Sequence, residues 1–257
     1  MSRRIFDVQR PADGTGRRET PMERAAADAI MTGTATTPLP YVHARRSPPM
    51  KLIGILRSPY VRRTAVSLNA MGIPFELDAV PVFDKPEIVT KYNPLTRVPA
   101  LVLDDGEALI DSSVILDALD EMAGPGKRLT PESGAARRHV LKLATVALGA
   151  VDKAVWSAYE YRFRPEEKVH TPWVRHNDAQ VIAGFTYLDA IAAKLGDSGW
   201  MAGTEKMSQA DVTAAVGFTF AKLVRPNLGL AEKVPNMAKF TARCEALPPF
   251  KAAAIPS

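Results

Sequence analysis

The chain is 257 residues long, 46% apolar and 24% charged, with a formal charge of +5. That length accommodates one large domain or two smaller ones with real cores, and no apolar run approaches the roughly 18 residues that would span a bilayer. The single cysteine, Cys244, excludes an intrachain disulfide, a CxxC redox pair and a multi-cysteine zinc site, and a reducing, cytoplasmic setting is expected.

Residues 1–49 hold eight Arg and five acidic residues, so +3 of the charge sits there and +2 is left for the other 208 residues. Acids interrupt the basic residues throughout, which argues against nucleic acid as a partner. This leader is polar, and only Pro21 to Met31 could form a short helix. It lacks an apolar signal-peptide core, and its acids argue against a transit peptide. Its composition predicts a disordered extension, or an upstream start ahead of a natural beginning at Met50. A regulatory or partner-binding arm is the other reading.

From Met50 to about Gly126, strand and helix patterns alternate. Lys51 to Leu56 is a short apolar run suited to a buried strand. Pro59 to Met71 is predicted helical, with proline in its first turn and Gly72 at its end. Pro74 to Val80 alternates as a second strand, and Lys85 to Lys91 is a weaker helix. Residues 100–103 and 107–110 are expected to pair as a hairpin about a two-residue Asp105-Gly106 turn. Ser112 to Met122 forms a closing helix that Gly124-Pro125-Gly126 ends. The order is βαβαββα.

Beyond Gly126 helix signals take over. Val140, Ala144, Ala147, Val151 and Val155 recur at helical spacing, as do Val181, Phe185, Leu188, Ile191 and Leu195. Ser208-Gln209-Ala210-Asp211 has the form of a capping box ahead of a further apolar segment. The chain therefore reads as an α/β domain over 50–126 and an all-helical domain over 127–257, after the 1–49 extension.

The stretch Asn93-Pro94-Leu95-Thr96-Arg97-Val98-Pro99 places a proline just ahead of a strand, where a missing N–H is tolerated. Backbone left unpaired beside it can bind an extended peptide by strand addition. Asp111 and Ser112 open the next helix, where free N–H groups and a hydroxyl can receive a carboxylate. Together these suit a small, anionic, peptide-like molecule. Ser58 stands between the first strand and first helix. Its hydroxyl could donate to a bound thiolate over the helix N-terminus, or it could simply cap the helix.

These elements in register resemble the glutathione-binding domain of soluble glutathione S-transferases: a serine after the first strand, NPxxxVPxL, an Asp-Gly hairpin and an acidic-Ser pair. Trp200-Met201-Ala202-Gly203 followed by Ser208-Gln209-Ala210-Asp211 resembles the capping-box region of the family's helical domain, and the likeness covers residues 50–250. It implies a thioredoxin-like first domain and a helical second one. It also implies that Pro99 is a cis-proline and that the Val98 backbone pairs with the cysteinyl unit of glutathione. Asp111 would face the γ-glutamyl ammonium and Ser112 the carboxylate, while Thr96 and Arg97 lie where glycyl-carboxylate contacts occur. Ser58 would activate the thiol, with Tyr60 as the competing hydroxyl. Two departures stand out: Asp111 where the family more often has Gln or Glu, and Thr96-Arg97 in place of a Gly-Lys-like pair. Serine rather than cysteine at 58 argues against thiol–disulfide chemistry.

His43, His139, His170 and His176 lack zinc-ligand spacing, and no metal is expected. Trp156, Tyr159, Tyr161, Phe163 and Trp173 could line a pocket for an apolar electrophile or pack the domains together. Asp211 suits a structural cap and Cys244 a buried small hydrophobe. The expectation is thus a cytoplasmic, homodimeric detoxification transferase that uses glutathione as co-substrate on an apolar electrophile by conjugation, isomerisation or peroxide reduction. A non-catalytic binding or regulatory protein on the same fold is the alternative.

Overall fold

The computed structural model describes residues 50–256; the expectations about the 1–49 leader lie outside them. Strand β1, Met50–Ile53, runs parallel to β2, Phe75–Asp78, and antiparallel to β3, Ala100–Val102, which pairs in turn with β4, Ala108–Leu109. The strand order is β2-β1-β3-β4. Helix α1, Pro59–Met71, links β1 to β2; α2, Pro86–Thr90, precedes β3; and α3, Ser112–Lys127, follows β4. This is the thioredoxin-like βαβαββα order.

Strand alternation distributes the core. Leu52 and Leu101 point into one cluster with Val61, Ala65 and Leu68 of α1 and Ile115 and Leu119 of α3. Their neighbours Ile53 and Ala100 point the other way, onto Val80 and Val89.

Three details differ from the sequence expectation. Gly124-Pro125-Gly126 does not end α3: Gly124 breaks the helical path at φ 70° and ψ −178°, and a last turn carries on to Lys127. β1 ends at Ile53 rather than Leu56, because Gly54 adopts φ 127° and turns the chain. A Cβ at Gly54 would lie 2.6 Å from Val61 Cγ2 and 2.9 Å from the Val98 Cβ, so the strand stops where the Val61 and Val98 side chains close on the Gly54 backbone. The hairpin loop has three residues, not two: Leu103 N–H bonds Glu107 O at 2.8 Å and Gly106 N–H bonds Leu103 O at 3.0 Å. A turn followed by a left-handed residue closes such a loop, and Gly106 supplies φ 93°.

The second half is helical. α4, Gly134–Phe163, packs against α5, Thr171–Ala192, and α6, Gln209–Val224, followed by α7, Leu230–Lys233, α8, Pro235–Glu245, and α9, Pro248–Lys251. The Asp211 carboxylate accepts from Met201 N at 2.7 Å, Ser208 N at 2.8 Å and Ser208 Oγ at 2.6 Å. Burial pushes this carboxyl up, and the three hydrogen bonds only partly offset it.

Helix α1 is fastened to the helical half along its far side. Arg62 forms a bidentate pair with Glu245 at 2.7 and 2.6 Å and donates from Nε to Ala253 O at 2.9 Å. Glu245 also accepts from Thr219 Oγ1 at 2.6 Å, and Ser67 Oγ meets Gln209 Oε1 at 2.9 Å. No helix among the described residues is long and apolar enough to cross a membrane.

Candidate functional site

The candidate residues converge where β1 ends, α1 begins and the loop into β3 passes. Ser58 is the N-cap of α1 at φ −71° and ψ 125°. Its Oγ accepts from Val61 N at 3.5 Å, a long bond, and its own proton is committed to no acceptor among the described residues. The hydroxyl therefore caps the helix weakly and keeps a donor available.

Asn93, 2% exposed, builds the loop that leads into β3. Its Oδ1 accepts from Leu95 N and its Nδ2 donates to Arg97 O, each at 2.9 Å. This side-chain clamp holds Thr96 at φ 52°, a backbone region that branched residues seldom adopt. The loop then delivers Val98 against Gly54, with a cis Val98–Pro99 bond leading into β3. Neither the amide nor the carbonyl of Val98 has a hydrogen-bond partner among the described residues.

At the start of α3, Asp111 is the N-cap and its Oδ1 accepts from Ser113 N at 2.8 Å. Ser112 is fully buried, and its Oγ accepts from Arg63 Nε at 3.1 Å and Nη2 at 2.9 Å. Ser113 Oγ takes a further Nη2 bond at 2.9 Å. Burial pulls the Arg63 guanidinium down to about 10, while the Asp111 and Asp152 carboxylates oppose the fall, so it remains a cation at neutral pH. Behind the helix N-terminus, already positive by its aligned peptide dipoles, the fold thus adds a buried positive charge.

The Tyr60 hydroxyl donates to Asp152 Oδ1 of α4 at 2.5 Å. Burial, with the Asp152 carboxylate beside it, pushes the phenol well above its ordinary range. It keeps its proton, and that proton is already given to Asp152. Arg97 lies with its Cζ 6.0 Å from the Tyr60 ring centroid.

From Asp152 the same face of α4 continues through Trp156, Tyr159 and Phe163, at helical spacing. Phe83, from the segment after β2, closes onto it at 5.8 Å from Tyr159 and 5.2 Å from Phe163. Tyr161 instead sits under Arg225 at 5.1 Å, and Trp173 stacks on His176 at 5.5 Å, so these two belong to other surroundings.

The structure therefore gathers Ser58, Tyr60, Arg97 and Val98 at one corner and joins Asp111 and Ser112 to it through Arg63. Sequence reasoning did not single out Arg63, Asp152, Phe83 or Arg162. Asp152 carried one signal, a carboxylate beside the apolar stripe of Val151 and Val155. Among the described residues no group of His, Cys, Asp and Glu could hold a metal ion.

Two family models match the chain: glutathione S-transferase, N-terminal domain, over residues 52–127, and glutathione S-transferase, C-terminal domain, over residues 178–248. The uncharacterized GST-like protein YibF of Escherichia coli K12 is 27% identical over 190 residues, 74% of this chain and 91% of that protein. A glutathione S-transferase from Methylobacillus flagellatus KT, crystallised with GSH bound, is 30% identical, with a TM-score of 0.74 over 80% of this chain and 100% of that one. Another from Methylobacterium radiotolerans, in complex with glutathione sulfonate, is 27% identical, with a TM-score of 0.73 over 81% and 95% of the two chains.

Proposed function

The chain belongs to the glutathione S-transferase family, and from that membership we propose that it is a glutathione transferase with a serine-type site. The Val98 backbone takes the cysteinyl unit of glutathione as an added strand, on the floor that Pro99 shapes. Asp111 faces the γ-glutamyl ammonium, and the α3 start at Ser112, backed by Arg63, receives the carboxylate. Thr96 and Arg97 serve the glycyl end. Ser58 donates to the sulfur and lowers its proton affinity from the free-thiol value of about 8.5, and the bound thiolate attacks an electrophilic carbon. The fold contributes position and a charge-matched donor rather than a covalent step.

One observation carries the choice of Ser58: its hydroxyl has an uncommitted proton at the cap of the helix whose Val61 meets Val98 at Gly54, whereas the Tyr60 proton is given to Asp152. Calorimetry with glutathione followed by a thiol-transfer assay on Ser58→Ala tests the reading. Absence of binding at millimolar glutathione would sink it; binding with loss of transfer in the variant would support it. We further propose a cytoplasmic homodimer, supported by Val114 of α3 and Leu141 of α4, which remain 53% and 40% exposed. Light scattering that reads one chain mass would contradict the dimer.

A further inference from the structure

Resting on the transferase reading, we infer that the second substrate is an aromatic electrophile carrying an anionic substituent, with its ring against Phe83, Tyr159 and Phe163 and its charge on Arg162. The position of these rings follows from helix geometry. Asp152 is tied to Tyr60, two residues from Ser58. Along α4, at about 1.5 Å rise per residue, Tyr159 and Phe163 stand about 10 and about 16 Å further up on the same face. Phe83 reaches back to both, so the three rings extend the α4 face that meets Tyr60, with Tyr159 near enough to act on the Tyr60 phenol. Tyr159–Phe163 centroids are 5.2 Å apart at 79°, and both Phe83 contacts are likewise edge-to-face.

The cluster is built like a binding surface rather than a core. Phe83, Tyr159 and Phe163 remain 47%, 38% and 55% exposed, so apolar ring surface is left for a planar partner. Arg162 lies with its Cζ 4.5 Å from the Phe83 centroid and 5.5 Å from that of Phe163. Arg97, 6.0 Å from the Tyr60 ring centroid, lies within electrostatic reach of both Tyr60 and Tyr159. Among the described residues no carboxylate lies within 4.0 Å of Arg162 or Arg97, although Asp84 neighbours Phe83 in the chain. With Arg97 assigned to the glycyl carboxylate, Arg162 is the cation left at the ring cluster. A cationic electrophile would be repelled there, a neutral one would gain only stacking, and an anionic one gains a charge-assisted contact as well.

A matched pair of probes tests this: 4-chloro-3,5-dinitrobenzoate and its methyl ester. With either, the thiolate sulfur forms a C–S bond at the chlorine-bearing carbon, chloride leaves with the C–Cl electron pair, and the thiol proton passes to water. After division by each probe's uncatalysed rate with free glutathione, the carboxylate should be preferred in kcat/KM by about fivefold, the scale of one exposed ion pair. The unreactive 4-amino analogues should show the same preference in calorimetry. Arg162→Met keeps the apolar stem and should bring both ratios to about one, with the KM for glutathione unchanged; Arg162→Lys should restore part of the preference. Equal handling of the probes by the wild type, or a preference that survives in Arg162→Met, overturns the inference. Glutathione calorimetry separates the failures. No glutathione binding overturns the transferase reading and this inference with it, whereas glutathione binding without the carboxylate preference overturns this inference alone.

Discussion

Ser58→Ala and Tyr60→Phe should have opposite consequences, because the two hydroxyls have spent their protons differently. Ser58 accepts one long bond from Val61 N at 3.5 Å, and its proton is available to a thiolate. A hydrogen bond to a charged acceptor contributes about 1.5–3 kcal/mol. At about 1.36 kcal/mol per pKa unit, its loss should move the ionisation of bound glutathione upward by about one to two pH units. At any pH below the wild-type ionisation, the thiolate fraction and the rate should fall about 10- to 100-fold. The capping contribution of Ser58 is small at this distance, so stability should drop by about 1 kcal/mol or less. Tyr60→Phe removes the 2.5 Å donor to a part-buried Asp152. It should cost about 1–2 kcal/mol in urea unfolding, discounted for partial solvent access, and leave the thiol ionisation where it was. The assay is ultraviolet thiolate absorbance of enzyme-bound glutathione against pH, paired with urea melts. If Tyr60→Phe moves the thiol ionisation and Ser58→Ala does not, the assignment of roles is wrong.

Gly54→Ala forces a Cβ to within 2.6 Å of Val61 Cγ2 at φ 127°, so we expect a destabilisation of about 2–4 kcal/mol together with a raised KM for glutathione; an unchanged KM in the folded variant would contradict the close approach of Val98. Asp211→Ala strands the Met201 and Ser208 amides in a dry interior and should cost about 3–5 kcal/mol in thermal or urea unfolding. Cys244 is fully buried and burial pushes its thiol up to about 12, so a thiol reagent at neutral pH should modify the native chain only after unfolding. Because the folded value lies above the unfolded one of about 8.5, the contribution of Cys244 to stability is complete below that pH and is lost as pH rises toward the folded value; Cys244→Ala should flatten the alkaline slope of the stability curve.

Local chemistry made much of this fold readable. Pro59 and Gly72 bracket α1, alternation marks β2, and helical periodicity marks α4 and α5, because each depends on neighbours within a few residues. The capping box at Ser208 was legible for the same reason. What escaped depends on distant partners. Arg62 and Arg63 look like a solvated charge pair, yet both are buried, because α1 lies between the sheet and the helical half. Their partners Glu245 and Ser112 are 183 and 49 residues away. Phe83 sits in a segment without periodicity, and only the fold brings it to Phe163. The three-residue hairpin turned on a single backbone angle at Gly106 that the Asp-Gly pair alone does not specify.

The Arg62–Glu245 pair, 4% and 28% exposed at its two side chains, has a consequence for how product would leave. It bolts α1, which Ser58 caps and which bears Tyr60, to the helical half, so a hinge between the two halves would have to break two short charge-assisted bonds before they parted. The Phe83 ring, by contrast, meets α4 through edge-to-face contacts with Tyr159 and Phe163, each worth about 0.5–1.5 kcal/mol, and through the Arg162 guanidinium. On the transferase reading, release would then proceed by parting the Phe83 contact rather than the two halves, and turnover of bulky conjugates would be paced by Phe83.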